Sequence, residues 1–262
     1  MAVKPAGQFK KVVQHLAGIL GGRSSPYIIP SRFTYRPAAA NVPVLSTGLR
    51  PLDKTLGIGG VPCGRITELI GPTTQPLSDG VLCLAAKIGA KTQRQQQPVI
   101  IIDMWQNFDP WQAERCGLMA PHLFLTRPDT IFDALTTLEN AARTGGLVIM
   151  NMGLAPTLLE QADPDLRKTL LGRLRYMARQ SPGALLVITM SQDNNPFNPA
   201  NYPPGFPLAE LADIRLWVQN ENWTYKGGVA TAYKASLTVI KNRLAAVGLG
   251  ADIRIKLTDF IE

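Results

Sequence analysis

Residues 66–84 of the chain read ITELIGPTTQPLSDGVLCL: a short apolar strand, a polar turn and a helix-like apolar segment. This strand–loop–helix order is that of a phosphate-binding loop, whose pattern is G-x-x-x-x-G-K-[ST]. Counting from Gly71, the second glycine, the lysine and the hydroxyl should follow at positions 76, 77 and 78. The chain has Pro76, Leu77 and Ser78 there, and Asp79 comes next. The layout of the loop is present, but most of its phosphate chemistry is missing.

Each replacement in this loop weakens the binding of phosphate. Such loops hold phosphate with converging backbone N–H groups, and Pro76 has no N–H. Leu77 removes the cation that meets the terminal phosphates, and Asp79 puts negative charge near the helix N-terminus where phosphate would lie. Ser78 retains a Mg²⁺ ligand, but the ion would lack its phosphates. We therefore predict a degenerate loop that binds no cofactor. The alternative is that 71–79 is an ordinary strand–helix turn.

Length and composition indicate a folded, water-soluble protein. The 262 residues fit one α/β domain with a small appendage, and 45% hydrophobic residues are ample for a core. No apolar run is long enough to span a bilayer and no signal peptide is evident, so we expect a cytoplasmic protein, free or associated with the nucleoid, without a membrane partner.

Cysteine, histidine and charge content limit the classes of site. The three cysteines (Cys63, Cys83 and Cys116) lack metal-ligand spacing and only two histidines occur, so we expect reduced, buried thiols and no metal site. The net charge of +8 favours an anionic partner such as DNA. A mildly basic protein with no such partner is the alternative.

Two regions are predicted: an N-terminal helix and linker over 1–45, and a core domain over 46–262. Residues 8–20 form an amphipathic pattern closed by a double glycine, and 23–45 read as an extended linker. One face of this helix is a candidate subunit interface, with the alternative that it packs on its own core. Its apolar residues include Phe9, Val12, Val13 and Leu16.

From residue 46 onward, strand and helix patterns alternate, which predicts an α/β fold with a mainly parallel central sheet flanked by helices. The strand runs are 66–70, 98–102, 122–125, 146–150 and 184–190. The helical segments are 78–92, 109–117, 130–143 and 164–180. Period-two alternation then predicts an antiparallel extension at 213–219, 232–241 and 251–257.

Residues 46–71, STGLRPLDKTLGIGGVPCGRITELIG, contain a Ser-Thr-Gly, an acidic residue after a leucine and a double glycine. This block resembles the start of the core in the RecA/RadA-type recombinase family. Residues 99–118, VIIIDMWQNFDPWQAERCGL, resemble the next block, and 237–246, LTVIKNRLAA, the late Lys-Asn-Lys strand. The blocks span roughly 46–257. The resemblance implies a RecA-like core.

The same resemblance implies that the catalytic residues are absent. The lysine position holds Leu77, the catalytic glutamate position holds Trp105, and the Walker B aspartate position holds Asn151. Tryptophan cannot accept a proton, and asparagine lacks the charge that holds Mg²⁺. We therefore predict that the chain is not an enzyme. A compact core with eroded nucleotide motifs also resembles the ImuA-type accessory proteins of mutagenic DNA repair.

Two segments are candidate DNA-binding surfaces. After Gln192, at the position of the family's second DNA-binding loop, the sequence DNNPFNPANYPPGFP carries amides and aromatics that can stack on bases but no Lys or Arg. The helix at 164–180 carries basic residues along one side. A proline-stiffened loop and a solvated helix face are the alternatives. The candidates are Phe197, Asn198, Tyr202, Phe206, Arg167, Lys168, Arg175 and Arg179.

Lys241 and Arg243 match two basic residues that in the family reach a nucleotide on the neighbouring subunit, so they are subunit-interface candidates; the alternative is a solvated sheet edge. The leading hypothesis is a catalytically inactive RecA-like protein acting in recombination, repair or damage tolerance. Its partners would be DNA, single-stranded by preference, a RecA-fold protein or a repair polymerase, in a homo- or hetero-oligomer. The alternatives are an interaction protein that does not bind DNA, and an ATPase with substitute residues.

Overall fold

A computed structural model describes residues 42–72, 79–153, 164–191, 195–197 and 208–258, all within one compact unit, Ala39–Glu262. The helix predicted at 8–20 and nearly all of the linker lie outside these residues. The division at residue 45 therefore stays a prediction.

The described residues open with a small ribbon and continue with alternating strands and helices. The elements are β1 (Val44–Leu45), α1 (Arg50–Leu56), β2 (Val61–Pro62), β3 (Ile66–Pro72), α2 (Asp79–Arg94), β4 (Val99–Asp103), α3 (Pro110–Arg115), a 3₁₀ turn (Ala120–His122), β5 (Leu123–Thr126), α4 (Ile131–Ala142), β6 (Leu147–Gly153), α5 (Pro164–Gln180), β7 (Ala184–Ser191), α6 (Leu208–Leu211), β8 (Ile214–Lys226), β9 (Val229–Asn242) and β10 (Gly250–Lys256).

Eight strands of the described chain form one sheet in the order β10-β9-β8-β3-β7-β6-β4-β5. Every neighbouring pair from β8 to β5 is parallel, whereas β8–β9 and β9–β10 are antiparallel. The predicted fold class is confirmed. The parallel strands could be read from sequence because strands covered on both faces are continuously apolar.

Helices cover both faces of the parallel strands. Along β7, Leu186 and Ile188 point into one core, and Leu185 and Val187 point into the other. The first core contains apolar side chains of α1, α2 and the α3 region, and the second those of α4, α5 and α6. This two-layer burial fixes the strand ends, from which the functional side chains project.

The antiparallel extension is longer than the sequence indicated. Strands were predicted at 213–219 and 232–241 with turns between them, but β8 and β9 run on and meet at Gly227-Gly228. Both glycines have positive φ (58° and 81°), as a two-residue type I′ hairpin turn requires. A register shift between Gln219 and Asn222 broke the pattern that would have shown one continuous strand.

One block of the family resemblance has a structural explanation. Asp53 accepts hydrogen bonds from the Ser46 hydroxyl (2.7 Å), the Thr47 hydroxyl (2.7 Å) and the Thr47 backbone N–H (2.8 Å). The Ser-Thr-Gly and the acidic residue after leucine therefore form one folded turn ahead of α1. This part of the motif stabilises the core and does not depend on any ligand.

Candidate functional site

The candidate site lies where β3, β7, β6 and β4 end, because parallel strands bring their carboxyl ends to one edge of the sheet. Residues 73–78, 154–163 and 192–194, which follow β3, β6 and β7 in the sequence, and residues 198–207 lie outside the described residues. Pro76, Leu77 and Ser78 fall in the first of these. Gly71 is buried near the end of β3, and Asp79 is the first residue of α2.

Asp103 and Asn151 form the centre of this edge. They are register partners at the ends of β4 and β6, and both side chains are fully buried. The Asn151 amide nitrogen donates to Asp103 Oδ1 and to Asn107 Oδ1, each at 2.7 Å. Its Oδ1 accepts no hydrogen bond from the part of the chain that the structure describes. The orientation of the amide is fixed, since a flipped amide would turn an oxygen toward two other oxygens.

The charge of Asp103 is compensated within the chain. Arg127, just after β5, places Nε 3.3 Å from Asp103 Oδ2, and the Phe108 backbone N–H donates to the same oxygen at 3.0 Å. Arg127 also donates to the Phe108 carbonyl at 2.8 Å. The buried carboxylate is thus fully satisfied by hydrogen bonds and one cation, without a metal ion. Sequence reasoning did not identify Asn107 or Arg127, since loop residues give no periodic signal.

Trp105 covers the end of β6. A β-carbon added to Gly153 would lie 2.5–2.8 Å from three indole carbons of Trp105, so the ring rests on the Gly153 backbone. Gly153 also has a φ of +52°, which favours glycine. The side chain at the position matched to the catalytic glutamate is therefore a packing group, 38% exposed, that fills the surface above this strand.

The first turn of α2 is crowded by side chains from the hairpin. A β-carbon on Gly80 would lie 2.2 Å from Glu221 Oε1 and 2.4 Å from the nearest atom of the Tyr233 ring. The Tyr233 hydroxyl donates to Glu221 at 2.5 Å. A carboxylate therefore lies close to the N-terminal turn of α2, where the helix dipole stabilises negative charge. Sequence reasoning missed Glu221 because it lies in the unrecognised half of β8.

A second buried charge cluster lies beneath this edge, in the middle of the sheet. Glu68 in β3 pairs with Arg215 in β8 at 2.5 Å and accepts from the Thr189 hydroxyl at 2.8 Å. Arg215 also donates to the Pro196 carbonyl at 3.2 Å. The cluster therefore anchors the described turn 195–197 to the sheet. A single glutamate inside the apolar strand ITELI was the sequence signal for it.

The DNA-binding candidates are only partly described. Phe197 is 38% exposed, and Arg175 and Arg179 lie on the solvent face of α5, opposite buried Leu174 and Met177. Tyr176, which sequence reasoning did not single out, is 66% exposed on the same helix. Other candidates lie outside what the structure describes: Asn198, Tyr202 and Phe206, and the side chains of Arg167 and Lys168.

Lys241 and Arg243, at the end of β9, bind within the chain. Lys241 Nζ donates to the Ala209 and Glu210 carbonyls of α6 at 2.7 and 2.9 Å, and Arg243 donates to the Glu210 carbonyl at 2.7 Å. Burial, followed by the charges of Arg243 and Arg215, lowers the pKa of Lys241 to about 8. Both cations cap this short helix. The other subunit-interface candidates, Phe9, Val12, Val13 and Leu16, lie outside the described residues.

Comparison with known proteins identifies the family. The sequence matches the RecA N-terminal domain over residues 34–180, more than half of the chain. The chain belongs to the RecA family. It is 30% identical over 231 residues to a protein named Protein RecA from Thermus thermophilus, covering 82% of this chain and 67% of that one. Protein RecA from Aquifex aeolicus is 27% identical over 244 residues, covering 84% and 70%.

The fold agrees with that of a solved relative. The crystal structure of the RadB recombinase superposes with a TM-score of 0.58 at 20% identity, covering 81% of this RecA-family chain and 96% of that one. Among the described residues, no helix could cross a membrane and no three acidic, Cys or His side chains cluster as a metal site.

Proposed function

We propose that this RecA-family protein no longer hydrolyses ATP and acts in recombination, repair or damage tolerance by binding DNA and protein partners. Its place of action would be the cytoplasm or the nucleoid. The observation that carries the proposal is the hydrogen bond from the Asn151 amide to the buried carboxylate of Asp103.

The residue at the position matched to the Walker B aspartate sets the charge of this centre. Two carboxylates 2.7 Å apart repel strongly unless a cation lies between them. With asparagine at 151 and Arg127 beside Asp103, the carboxylate is satisfied without an ion. The described residues therefore do not suit Mg²⁺ with ATP, and a centre that needs no ion for stability supports loss of hydrolysis.

Two further features support the same proposal. Trp105 offers no proton acceptor where the family resemblance places a catalytic glutamate. Glu221 brings negative charge near the first turn of α2, which in phosphate-binding proteins faces the phosphate. Trp105 therefore removes a catalytic group, and the Glu221 carboxylate opposes an anionic nucleotide at this turn.

DNA binding and oligomerisation are proposed from the family and from this chain's surface. The net charge is +8, and the α5 face combines Arg175 and Arg179 with exposed Tyr176. Basic residues next to an exposed aromatic suit single-stranded DNA, since cations meet phosphates and the ring stacks on a base.

A protein-interaction role without DNA is supported by a different observation. Trp111, Phe124 and Phe132 are 70%, 66% and 47% exposed. Exposed aromatics of this size are typical of protein–protein contacts, where they act as anchors. A RecA-fold protein or a repair polymerase would be the partner in either case.

The test measures nucleotide and DNA binding on the same preparation, with an active RecA protein as the control. We expect no phosphate release and no shift of the melting temperature with Mg·ATP, whereas a ligand at 100 times its Kd would stabilise by about 2.7 kcal/mol. Fluorescence anisotropy with a single-stranded oligonucleotide at about 50 mM salt then separates the two roles. Phosphate release by the pure protein would overturn the proposal, and absent DNA binding would leave the interaction role.

A further inference from the structure

Two thiols meet in the core between α2 and α3. Cys83 Sγ and Cys116 Sγ lie 2.7 Å apart, and each side chain is 1% exposed. Cys83 lies in the second turn of α2, and Cys116 is the residue that caps the end of α3. A disulfide has an S–S distance of about 2.0 Å, so less than 1 Å of approach separates the pair from bonding distance.

We propose that Cys83 and Cys116 are a two-electron redox pair, which a peroxide converts into an internal disulfide that locks α2 to α3. Cys83, although buried, is the thiol of the pair that lines a small pocket with Asn107, Phe108 and Gln112, and this pocket is the side from which peroxide would approach. Nothing in the nucleotide or DNA chemistry of the fold uses either sulfur, so the inference stands apart from the proposed function.

The chemistry balances with hydrogen peroxide as the oxidant. The Cys83 sulfur attacks one peroxide oxygen, the O–O bond breaks, and the departing oxygen leaves as water, giving a sulfenic acid. The Cys116 sulfur then attacks the Cys83 sulfur, forming the S–S bond and releasing a second water. Two thiols are oxidised by two electrons, and one peroxide is reduced to two waters.

The surroundings make this pair slow to oxidise. The hydrogen bond to Cys116 and then burial raise the pKa of the Cys83 thiol, and the positive charges of Lys87 and Arg115 oppose the rise only in part. The thiolate is the reactive form, and a raised pKa makes it rare at neutral pH. The pair therefore reacts slowly and needs sustained exposure to peroxide. Cys63, half-buried and also free, is the third cysteine and has to be removed before the pair is tested.

The lock would act on the helix that follows the degenerate loop. Cys83 lies four residues after Asp79, and α3 contacts the far strands through Arg115, which donates to the Ala230 and Thr258 carbonyls. A bond at 83–116 therefore ties this helix to the ends of β9 and β10. It also closes a loop of 33 residues, which restricts the unfolded chain.

The experiment uses the full chain with Cys63→Ser, so that only the pair remains. Folded protein is treated with hydrogen peroxide, quenched with an alkylating reagent, digested and mapped by mass spectrometry. We expect a cross-linked peptide joining positions 83 and 116, an intact mass lower by two hydrogens, and full reversal by dithiothreitol. The melting temperature of the oxidised form should rise by about 5–15 °C.

Matched variants define the outcome. Cys83→Ala and Cys116→Ala in the same background should each abolish the cross-link, while Cys63→Ser alone leaves it intact. If either variant fails to fold, the peptide map of the Cys63→Ser protein decides. Sulfinic or sulfonic acid on either thiol without a cross-link, or a cross-link that forms only in denatured protein, would overturn the redox pair.

Discussion

Asn151 illustrates how one atom decides the chemistry of a buried centre. Asn151→Asp replaces the donor that faces Asp103 with an oxygen, so the contact at 2.7 Å becomes a repulsive pair of carboxylate oxygens. We expect a loss of about 1–3 kcal/mol in the free energy of unfolding, measured by urea denaturation. Asn140→Asp, on the exposed side of α4, is the control and should change stability by less than about 0.5 kcal/mol. An Asn151→Asp protein that keeps wild-type stability, and gains more with Mg²⁺, would show that the centre still accommodates an ion.

Two helical glycines should respond in opposite directions to alanine. A β-carbon at Gly80 has no room beside Glu221 and the buried Tyr233 ring, so Gly80→Ala should destabilise by about 1–3 kcal/mol. A β-carbon at Gly172, in the middle of α5, meets nothing within 4 Å, so Gly172→Ala should stabilise by about 0.5–1 kcal/mol. Thermal melts of both variants check this pair. Equal effects would mean that Gly80 is not crowded in solution.

The buried and exposed ion pairs should differ just as clearly. Glu68→Ala leaves the buried Arg215 without this carboxylate. We expect the free energy of unfolding to fall by about 3–5 kcal/mol. Glu139→Ala breaks the exposed pair with Arg173, and we expect its unfolding midpoint to stay within error of wild type because water screens that pair. A mild effect at Glu68 would indicate that water reaches Arg215.

At the scale of elements, the cap on α6 should titrate. The native pKa of Lys241 is about 8, below its unfolded value of 10.5. Below pH 8 both states carry the proton; between about 8 and 10.5 the unfolded state binds more protons, so stability rises with pH. Lys241→Gln should remove this rise, and the wild-type-minus-variant difference in denaturation free energy from pH 7 to 10.5 measures it. If the free energy of unfolding changes with pH in the same way for wild type and Lys241→Gln, Lys241 is exposed to water in the native protein.

The alternation of strands and helices was predictable element by element, and the side-chain networks were not. Helix 164–180 coincides with α5, and strand 184–190 with most of β7, because apolar periodicity depends only on local spacing. The contacts of Asn151 with Asn107 and Asp103 join residues 44 and 48 positions apart. Such contacts are set by strand order, which one sequence does not reveal.

The sequence could show which positions of the site differ from the family pattern, but it could not show what the side chains at those positions contact. Trp105 and Asn151 were identified by comparison with a known pattern, but their roles, packing on Gly153 and binding Asp103, follow only from the geometry. Lys241 and Arg243 stay candidates for a subunit interface; their bonds to carbonyls of α6 could not be read from the sequence.

At the scale of the whole molecule, the excess positive charge predicts how binding depends on salt. If α5 follows the backbone of single-stranded DNA, Arg175→Ala with Arg179→Ala should reduce the magnitude of the slope of log K against log salt by about 1.4. Arg94→Ala, at the end of α2, is the control and should leave the slope unchanged. Anisotropy titrations between about 50 and 200 mM salt give both slopes. Identical slopes for the double variant and wild type would show that α5 does not contact the DNA phosphates.

The crowding at Gly80 means that residues of the β8–β9 hairpin limit which changes the loop before α2 can accept. A designer who restored glycine and lysine to the loop at 76 and 77 would still meet a tyrosine and a glutamate supplied from about 140 to 150 residues later in the sequence, pressed on the helix that follows the loop. Changing the loop alone, by Pro76→Gly with Leu77→Lys, should therefore yield a folded protein that does not bind ATP. On the proposal that this chain does not bind ATP, an engineered gain of ATP binding would need coordinated changes in the hairpin as well as in the loop.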